Sequence, residues 1–390
     1  MFNIEFKQMK IVYCLNSVSL LGGIQRVTIV KANALADIEG NEVYAIVSDN
    51  NSDVMVHPLS PKVHLIDLGI NYYDGDTGRS YLMNALVYAK KMIKHKKTLK
   101  RKLSELKPDV VISVGTFEKH MLPAMRNRTW KIVREFHLAT NYRKMLYRQS
   151  LLGRLTSAFA SFYDFKVKLR QYDKVVVLTE EDKETNCAGW KNVVVMPNPA
   201  SFECNTPSTL TEKCVSGLGR LHSAKNFASL INAFSFVSKK HPDWVLRIYG
   251  DGDRQPFLEQ QIKELNLQDN VFLMGFSNDI KTALTGSSIF ALSSITEGFS
   301  LAIVEAMECG VPVVSYQCPY GPKDLITDGS NGFLVPTGDE KMMAERICTL
   351  IEDEELRKRM GKAAKLRAQD FHVESIAKRW MTLFEELVKS

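Results

Sequence analysis

Residues 296–316 read TEGFSLAIVEAMECGVPVVSY, and this stretch decides the fold. Its first part predicts a helix that begins near Ser300. The β-branched run VPVVSY that follows predicts a short buried strand. A helix leading into such a strand is the repeating unit of a parallel α/β sheet.

The same alternation extends in both directions along the chain. Short β-branched runs recur as KIVYCLN, EVYAIVS, KVHLIDL, DVVISVG, WKIVREF, KVVVLT and NVVVMP, and then as CVSGLGRL, WVLRIYG, NVFLMG and SSIFALS. The polar, proline-bearing stretch 197–213 interrupts the alternation and predicts a linker. We therefore expect an α/β protein with two doubly wound, Rossmann-like domains facing across a cleft, at residues 9–197 and 198–372, with ligands at the carboxyl ends of the strands.

The end of the chain, residues 373–390, predicts an amphipathic helix. Its apolar side chains recur at helical spacing, and they are Ile376, Trp380, Leu383, Phe384 and Leu387. Such a stripe needs a groove to pack into.

Composition excludes several classes of protein. Of the 390 residues, 45% are hydrophobic and 24% are charged, as in ordinary globular proteins. The seven cysteines are scattered without a Cys-x-x-Cys pair, which argues against a disulfide framework or a zinc cage. No apolar run approaches the roughly 18 residues of a spanning helix, and the first ten residues lack the apolar core of a signal peptide. We expect a protein of the reducing cytosol.

Positive charge is concentrated in the first half of the chain. Residues 1–200 contain 30 Lys and Arg against 19 Asp and Glu, whereas residues 201–390 contain 21 against 25. Eight of the basic residues lie in KKMIKHKKTLKRK, residues 90–102, on a predicted helix with apolar positions between Leu82 and Leu103. Residues 142–170 contain seven more Lys and Arg residues, interspersed with Leu and Phe. The alternative is a core-packed helix with a solvated basic face, but two such stretches favour an anionic membrane surface as partner.

Two cations in GLGRLHSAKNF follow a predicted strand in the second half. Arg220 and Lys225 would lie in the loop between that strand and the next helix. Two cations at the carboxyl end of a strand suit a diphosphate. The alternative is a pair of solvated loop residues.

Two acids flank the helix start in TEGFSLAIVEAMECG. Glu297 would lie just before the helix and Glu305 about one and a half turns inside it. The free N–H groups of residues 298–301, which are Gly298, Phe299, Ser300 and Leu301, would then form an anion site at the helix N-terminus. The alternative is that Glu297 belongs to the helix cap and Glu305 to a solvated helix face.

Two further segments of the second half carry turn signals. CPYGPKDLITDGSNGFLVP packs Gly and Pro around a short helical turn and a short strand. Asp251-Gly252-Asp253 resembles a metal-binding pair, but hard cations need more oxygen ligands than two acids offer. We interpret it as a turn and expect no metal.

Taken in order, these motifs resemble glycosyltransferase family four, whose members are retaining enzymes of the GT-B fold. The resemblance rests on Arg220 and Lys225, GDGD, the two acids eight residues apart, and DGSNGFLVP, and it extends over about residues 9–388. It implies a nucleotide-sugar donor on residues 198–372, an acceptor on residues 9–197, and a last helix, 373–390, that crosses back to the N-terminal domain.

The resemblance also implies roles for single residues. Arg220 and Lys225 would bind the diphosphate, Glu305 the ribose and Glu297 the donor sugar, while residues 298–301 would supply backbone contacts. In the first half, Gly22-Gly23 precedes a helix without the Gly-x-Gly-x-x-Gly pattern of nicotinamide enzymes. A flexible turn there lets the backbone approach a phosphate, so Gly22 and Gly23 are candidate donor-binding residues. Related enzymes usually have Glu at the position of Gln25.

The strand WKIVREF brings Glu135 and His137 to one edge of the predicted sheet. Similar enzymes often place a histidine near the donor sugar at this point, so His137 joins the candidate site. The alternative is a histidine with a purely structural role.

The resemblance implies transfer of a hexose or N-acetylhexosamine from a nucleoside diphosphate, UDP by preference, to an acceptor sugar. We expect a glycan or lipid-linked glycan acceptor of cell-surface glycan biosynthesis, peripheral attachment to the inner face of the plasma membrane, no cofactor and no nucleic-acid partner. Alternatives are a nucleotide-sugar 2-epimerase of the same architecture and a non-catalytic basic protein that binds membrane or nucleic acid.

Overall fold

The computed structural model describes residues 6–19, 23–49, 58–72, 80–125, 127–140 and 168–389. It divides into two compact units. The first comprises Met1–Val177, Thr185–Pro199 and Val373–Ser390, and the second comprises Leu178–Glu184 and Ala200–His372. The boundary after residue 197 in the predicted domains thus lies two residues from the boundary between the units. Leu178–Glu184 is grouped with the second unit, although the sequence prediction assigned it to the first.

The first unit is built on a parallel sheet with helices on both faces. Its described strands are β1 (Lys10–Leu15), β2 (Glu42–Val47), β3 (Val63–Asp67), β4 (Val110–Ser113), β5 (Lys131–Glu135), β6 (Lys174–Val177) and β7 (Val193–Val195). They lie in the order β3-β2-β1-β4-β5-β6-β7. The order reverses between β1 and β4, where Tyr13 pairs with Ile112. Ligands of doubly wound sheets bind at such a switch point.

Three helices of this unit matter for the site. Helix α1 (Gly23–Asp37) and the last helix, α11 (Val373–Lys389), pack together on one face. The apolar stripe of α11 is buried in the core of the first unit, as the sequence predicts. Helix α2 (Tyr81–Leu106) is the longest, at 26 residues, and Ser80 caps it by accepting a hydrogen bond from the Met83 N–H. None of the described helices has both the length and the apolar character needed to cross a membrane.

The second unit repeats this architecture. Its described strands are β8 (Cys214–Leu218), β9 (Val245–Tyr249), β10 (Val271–Gly275), β11 (Ile289–Leu292), β12 (Val313–Tyr316) and β13 (Gly332–Val335). They lie in the order β10-β9-β8-β11-β12-β13, all parallel. The switch point here falls between β8 and β11, so the loops that follow these two strands frame the expected ligand site.

The helices of the second unit connect these strands. They are α3 (Glu180–Asn186, which extends into the first unit), α4 (Phe227–Lys240), α5 (Gln255–Glu264), α6 (Ile280–Thr285), α7 (Leu301–Glu308), α8 (Pro322–Leu325), α9 (Glu340–Glu352) and α10 (Glu354–Ala368). Helix α7 begins one residue after the predicted start and ends at Glu308, and Gly310, just after its C-cap residue, has a φ of +69°. Glycine suits this left-handed position at a helix end. The two units together confirm the predicted doubly wound α/β fold.

Candidate functional site

The two loops at the switch point of the second sheet bring Lys225 and Glu297 together. Lys225 ends a short 3₁₀ turn after β8, and Glu297 follows β11. The Lys225 Nζ atom lies 2.7 Å from Oε1 of Glu297, and Ser294 Oγ donates to the same oxygen at 2.6 Å. The sequence predicted both residues for the site but not their contact.

Backbone and small side chains hold the two loops against each other. Ser293 Oγ donates to the Lys225 carbonyl at 3.0 Å, and the Ile295 N–H donates to the Ala224 carbonyl at 2.9 Å. Gly219 has a φ of +153°, and a Cβ there would lie 3.2 Å from Cε of Lys225. Gly219 thus leaves room for the lysine stem on its way to Glu297.

Ser300 has a strained conformation at the N-cap of α7. Its φ and ψ are +69° and +71°, in the left-handed region that residues with a Cβ seldom adopt. Its side chain is buried, and Oγ has no hydrogen-bond partner among the described residues. A strained residue with an unsatisfied hydroxyl beside the free N–H groups of a helix is typical of a ligand site.

Glu305 lies inside α7 and is 5% exposed, so it is not on a solvated helix face. Phe299 is buried as well, and a Cβ on Gly321 would lie 2.5 Å from its carbonyl oxygen. This close approach requires glycine at position 321, where φ is +119°. The loop after β12 is therefore fitted closely to the loop before α7.

Cys318, in the same loop, is buried beside the ion pair. Burial, and then the negative charge of Glu297, raise the pKa of its thiol to about 12. Cys318 is therefore a neutral thiol rather than a nucleophile at physiological pH.

Arg220 and the Asp-x-Asp motif lie side by side at this edge. Arg220 is exposed, and the next residue, Leu221, exchanges backbone hydrogen bonds with Asp251 and Arg254. A Cβ on Gly250 would lie 2.0 Å from the Gly219 carbonyl oxygen, and one on Gly252 would lie 2.4 Å from that of Leu221. The GDGD segment thus makes a close backbone contact with the Arg220 loop, which accounts for its glycines without a metal.

The first unit places Glu135 and His137 at the carboxyl end of β5. Nε2 of His137 lies 3.4 Å from Oε1 of Glu135. The same carboxylate forms a buried ion pair with Lys31 of α1. Lys31 also lies over the ring of Trp380, with Nζ 5.2 Å from its centroid. The sequence predicted the shared edge, but not the lysine.

Gly22 lies outside the described residues, and Gly23 is the first residue of α1. A Cβ on Gly23 would meet no atom within 4 Å. Most of the basic stretch 142–170 also lies outside the described residues, which resume at position 168.

One group of side chains in the described part of the chain could hold a metal ion. His241, Cys348 and Glu352 offer ligand atoms within 4.8 Å of one another. His241 follows the end of α4, before β9 begins, so the group lies at the amino edge of the sheet, opposite the Lys225 loop. The prediction that the reaction needs no metal stays a prediction.

Some functional signals were present in the sequence and were missed. A lysine among the apolar residues of α1 indicates a buried charge that needs a partner, and Lys31 meets Glu135. For Ser300, the sequence predicts a backbone contact but not a role for its hydroxyl. Nothing in the sequence around Ser294 predicts its hydrogen bond to Glu297, because that bond depends on the path of the loop after β11.

The described residues form two parallel Rossmann-like sheets, with a lysine–carboxylate pair and a helix N-terminus at the switch point of the second sheet, and this architecture is the GT-B fold. Residues 205–367 match the family model described as glycosyl transferases group 1. The chain has the GT-B fold, and the residues that match this family model lie in the second unit and include Lys225 and Glu297.

Individual proteins that resemble this chain in sequence or structure include the following three. An uncharacterized glycosyltransferase of Haemophilus influenzae is 29% identical over 377 residues, which cover 95% of this chain and 98% of that protein. The N-acetylgalactosamine-N,N'-diacetylbacillosaminyl-diphospho-undecaprenol 4-alpha-N-acetylgalactosaminyltransferase of Campylobacter jejuni is 36% identical over 169 residues, 43% of this chain and 46% of that one. A TarM variant of S. aureus, solved with fondaparinux, alpha-GlcNAc-glycerol and UDP, has a TM-score of 0.74 at 16% identity and covers 97% of this chain and 100% of its own.

Proposed function

We propose that this protein transfers a hexose or N-acetylhexosamine from a UDP-sugar, with retention of configuration, to a lipid-linked glycan acceptor in cell-surface glycan biosynthesis. The observation that carries the proposal is the Lys225–Glu297 pair beside strained Ser300 at the switch point of the second sheet. Cation, carboxylate and helix N-terminus together match the phosphates and hydroxyls of a nucleotide sugar.

Different residues are proposed to bind the diphosphate, the ribose and the sugar of the donor. Arg220, Lys225 and the N–H groups at the start of α7 bind the diphosphate, and Ser300 Oγ adds a hydroxyl donor. Glu305 accepts hydrogen bonds from the ribose hydroxyls. Glu297 accepts them from the donor sugar.

UDP and the lipid-linked acceptor are supported by the relatives. The structurally similar TarM variant binds UDP, and the Campylobacter jejuni relative is named for an acceptor linked to diphospho-undecaprenol. The first unit is proposed to hold the acceptor.

The reaction exchanges one bond at the anomeric carbon for another. The bond from that carbon to the phosphate oxygen breaks, and the bond to the acceptor oxygen forms on the same face. The acceptor proton passes to an oxygen of the leaving phosphate, so no side-chain nucleophile is required. The protein stabilises the charge that develops on the diphosphate, through Arg220, Lys225 and α7.

The test is incubation with a panel of nucleotide sugars, scored for released nucleotide with and without undecaprenyl-diphosphate-linked sugars. Lys225→Ala is expected to lower turnover by about 10² to 10³. Lys213→Ala, which breaks an exposed pair with Asp243, is the matched control and should keep full activity. Conversion of the donor without any acceptor would indicate an isomerase instead, and full activity of Lys225→Ala would remove the diphosphate assignment.

We further propose that α2 attaches the protein to an anionic membrane surface. The C-terminal half of α2 is anchored in the core by Leu99 and Leu103. Leu86 and Ile93, in contrast, are 62% and 69% exposed. Met83, Lys90, Lys94, Lys97 and Arg101 are exposed on the same face at helical spacing.

A helix face that mixes exposed apolar and basic side chains suits the boundary between headgroups and acyl chains. Each basic residue near an anionic surface contributes about 1 kcal/mol, so four give reversible attachment that salt weakens. The core-packed alternative explains Leu99 and Leu103 but leaves Leu86 and Ile93 unexplained.

Flotation with liposomes tests this attachment. We expect recovery on anionic vesicles at low salt, loss at about 0.5 M salt, and loss in the variant Leu86→Ser/Ile93→Ser. Leu366→Ser, at a leucine 66% exposed on α10 of the second unit, is the matched control. Equal recovery on neutral and anionic vesicles, or none on either, would refute the proposal.

A further inference from the structure

Three side chains of kinds that bind transition metals meet at the amino edge of the second sheet. His241, Cys348 and Glu352 each offer a ligand atom, and these atoms lie within 4.8 Å of one another. His241 follows the end of α4, and the other two residues lie in the last turns of α9. All three belong to the second unit, at the edge of its sheet opposite Lys225. The group is therefore separate from the candidate donor site.

The packing of α4 against α9 brings these side chains together. Nδ2 of Asn232 on α4 donates to Oε1 of Glu340, the first residue of α9, at 3.1 Å. At the far ends of the two helices, Nε2 of His241 lies 3.0 Å from Oε1 of Glu352. Cys348 lies four residues before Glu352, so both side chains lie on one face of α9. The register between the two helices therefore fixes the group.

The backbone of His241 is held in place as well. Its N–H donates to the Val237 carbonyl at 2.9 Å, and its own carbonyl accepts from the Trp244 N–H at 3.1 Å. Val237, Trp244 and Cys348 are all buried in one hydrophobic core. Ligands carried by such rigid elements suit a preformed metal site.

The three ligand atoms differ in kind, and together they favour zinc. Thiolate sulfur, imidazole nitrogen and carboxylate oxygen are all ligands of zinc, whereas magnesium and calcium prefer oxygen ligands. The thiolate of Cys348 and the carboxylate of Glu352 would balance the two positive charges of the ion. Lys240 and Glu345 also lie near the sulfur, but their opposite charges largely offset each other.

The spacing of the ligand atoms is close to that of a tetrahedral site. Zinc bond lengths place neighbouring ligand atoms about 3.4 to 3.6 Å apart. This value lies between the 3.0 Å from His241 to Glu352 and the 4.8 Å limit for the group. Rotation of the Glu352 side chain, which is 57% exposed, can supply the adjustment. The alternative is a plain ion pair between His241 and Glu352, which makes no use of the thiol.

We propose that His241, Cys348 and Glu352 bind a zinc ion that fastens the end of α4 to α9, with water as the fourth ligand. Three protein ligands leave one position open, so the ion should exchange and a chelator should remove it. Because the group lies opposite Lys225, zinc is expected to stabilise the second unit rather than to take part in sugar transfer. The proposal therefore does not rest on the proposed function.

Cobalt(II), which adopts the geometry of zinc and is coloured, reports the ligands directly. Reduced, chelator-treated protein is titrated with cobalt chloride. We expect the visible bands of tetrahedral cobalt and a thiolate-to-cobalt charge-transfer band, both removed by zinc with a Kd below about 10 μM. Cys348→Ser should abolish the charge-transfer band. Cys187→Ala, at a buried cysteine of the first unit, is the matched control and should keep it.

Thermal unfolding measures the effect on the second unit. Free zinc at about 100 times its Kd should raise the melting temperature of the wild type by about 5 to 10 °C, and it should have no such effect on His241→Gln. If Cys348→Ser does not fold, Glu352→Gln, at an exposed position, still tests the site and should weaken cobalt binding at least tenfold. A cobalt spectrum without the charge-transfer band, a band that persists in Cys348→Ser, or a Kd above about 10 μM would overturn the proposal. Because none of these measurements uses turnover, a failure of sugar transfer would leave the zinc result unaffected.

Discussion

Ser300 gives a test in which stability and activity should move in opposite directions. A left-handed conformation costs a residue with a Cβ about 1 to 2 kcal/mol. Glycine avoids that cost but loses about 0.5 to 1 kcal/mol through the greater freedom of the unfolded chain. Ser300→Gly should therefore stabilise the protein by about 0.5 to 1 kcal/mol, or roughly 2 °C in the melting temperature of a unit of this size.

The same substitution removes the Ser300 hydroxyl. Since Oγ is buried without a partner among the described residues, its loss costs the unliganded protein no hydrogen bond. A bound donor would lose one preorganised contact, which should lower turnover by about 10². Thermal unfolding and initial rates with the active UDP-sugar measure the two effects.

Two further variants separate strain from chemistry. Ser300→Ala loses the hydroxyl and keeps the strain, so it should lose activity without the gain in stability. Asn266→Gly relieves a φ of +55° in an exposed loop and should leave activity unchanged. A Ser300→Gly protein that is both more stable and fully active would refute a role for the hydroxyl, and a less stable one would refute the strain argument.

Three other outcomes are expected. Glu305→Gln should mainly raise the donor KM, whereas Glu297→Gln should lower kcat more, and identical kinetic signatures would contradict their separate roles. EDTA should leave transfer largely unchanged because the GDGD segment is a backbone contact, and complete loss restored by manganese would show otherwise. Burial lowers the pKa of His95 to about 4, below about 6.5 in the unfolded chain. The free energy of unfolding in urea should thus fall by up to about 3 kcal/mol from pH 6.5 to 4, and His95→Gln should remove that part.

The fold could be predicted from the sequence because the patterns that indicate its strands and helices are local. Strands buried on both faces must be β-branched and apolar, and a parallel sheet requires a helix between most pairs of strands. Each strand can therefore be predicted from its own residues, whichever strands lie beside it in the sheet. The order of the strands is not local, and the switch points between β1 and β4 and between β8 and β11 were available only from the structure.

The sequence predicted which residues belong to the candidate site, but it did not predict most of the contacts between them. Lys225 and Glu297 are 72 residues apart, and only the pairing of β8 with β11 brings them together. The buried position of Glu305 depends on which face of α7 packs inward, which a single polar residue in an apolar helix leaves ambiguous. Lys31 was overlooked because it lies on helix α1, whereas its partner, Glu135, lies on strand β5, far along the chain.

The Lys225–Glu297 pair suggests how a site that contains a carboxylate can still bind the negatively charged diphosphate of a donor. Without a donor, each group satisfies the other, and neither charge is left unpaired in a largely buried position. On the proposed function, an arriving diphosphate draws Lys225 away, while Ser294 continues to hold Oε1 of Glu297 in place. The carboxylate is then released to accept hydrogen bonds from the sugar at the moment when the lysine engages the leaving group. The ion pair would thus couple recognition of the sugar to recognition of the phosphates, because neither half of the donor alone can use both residues.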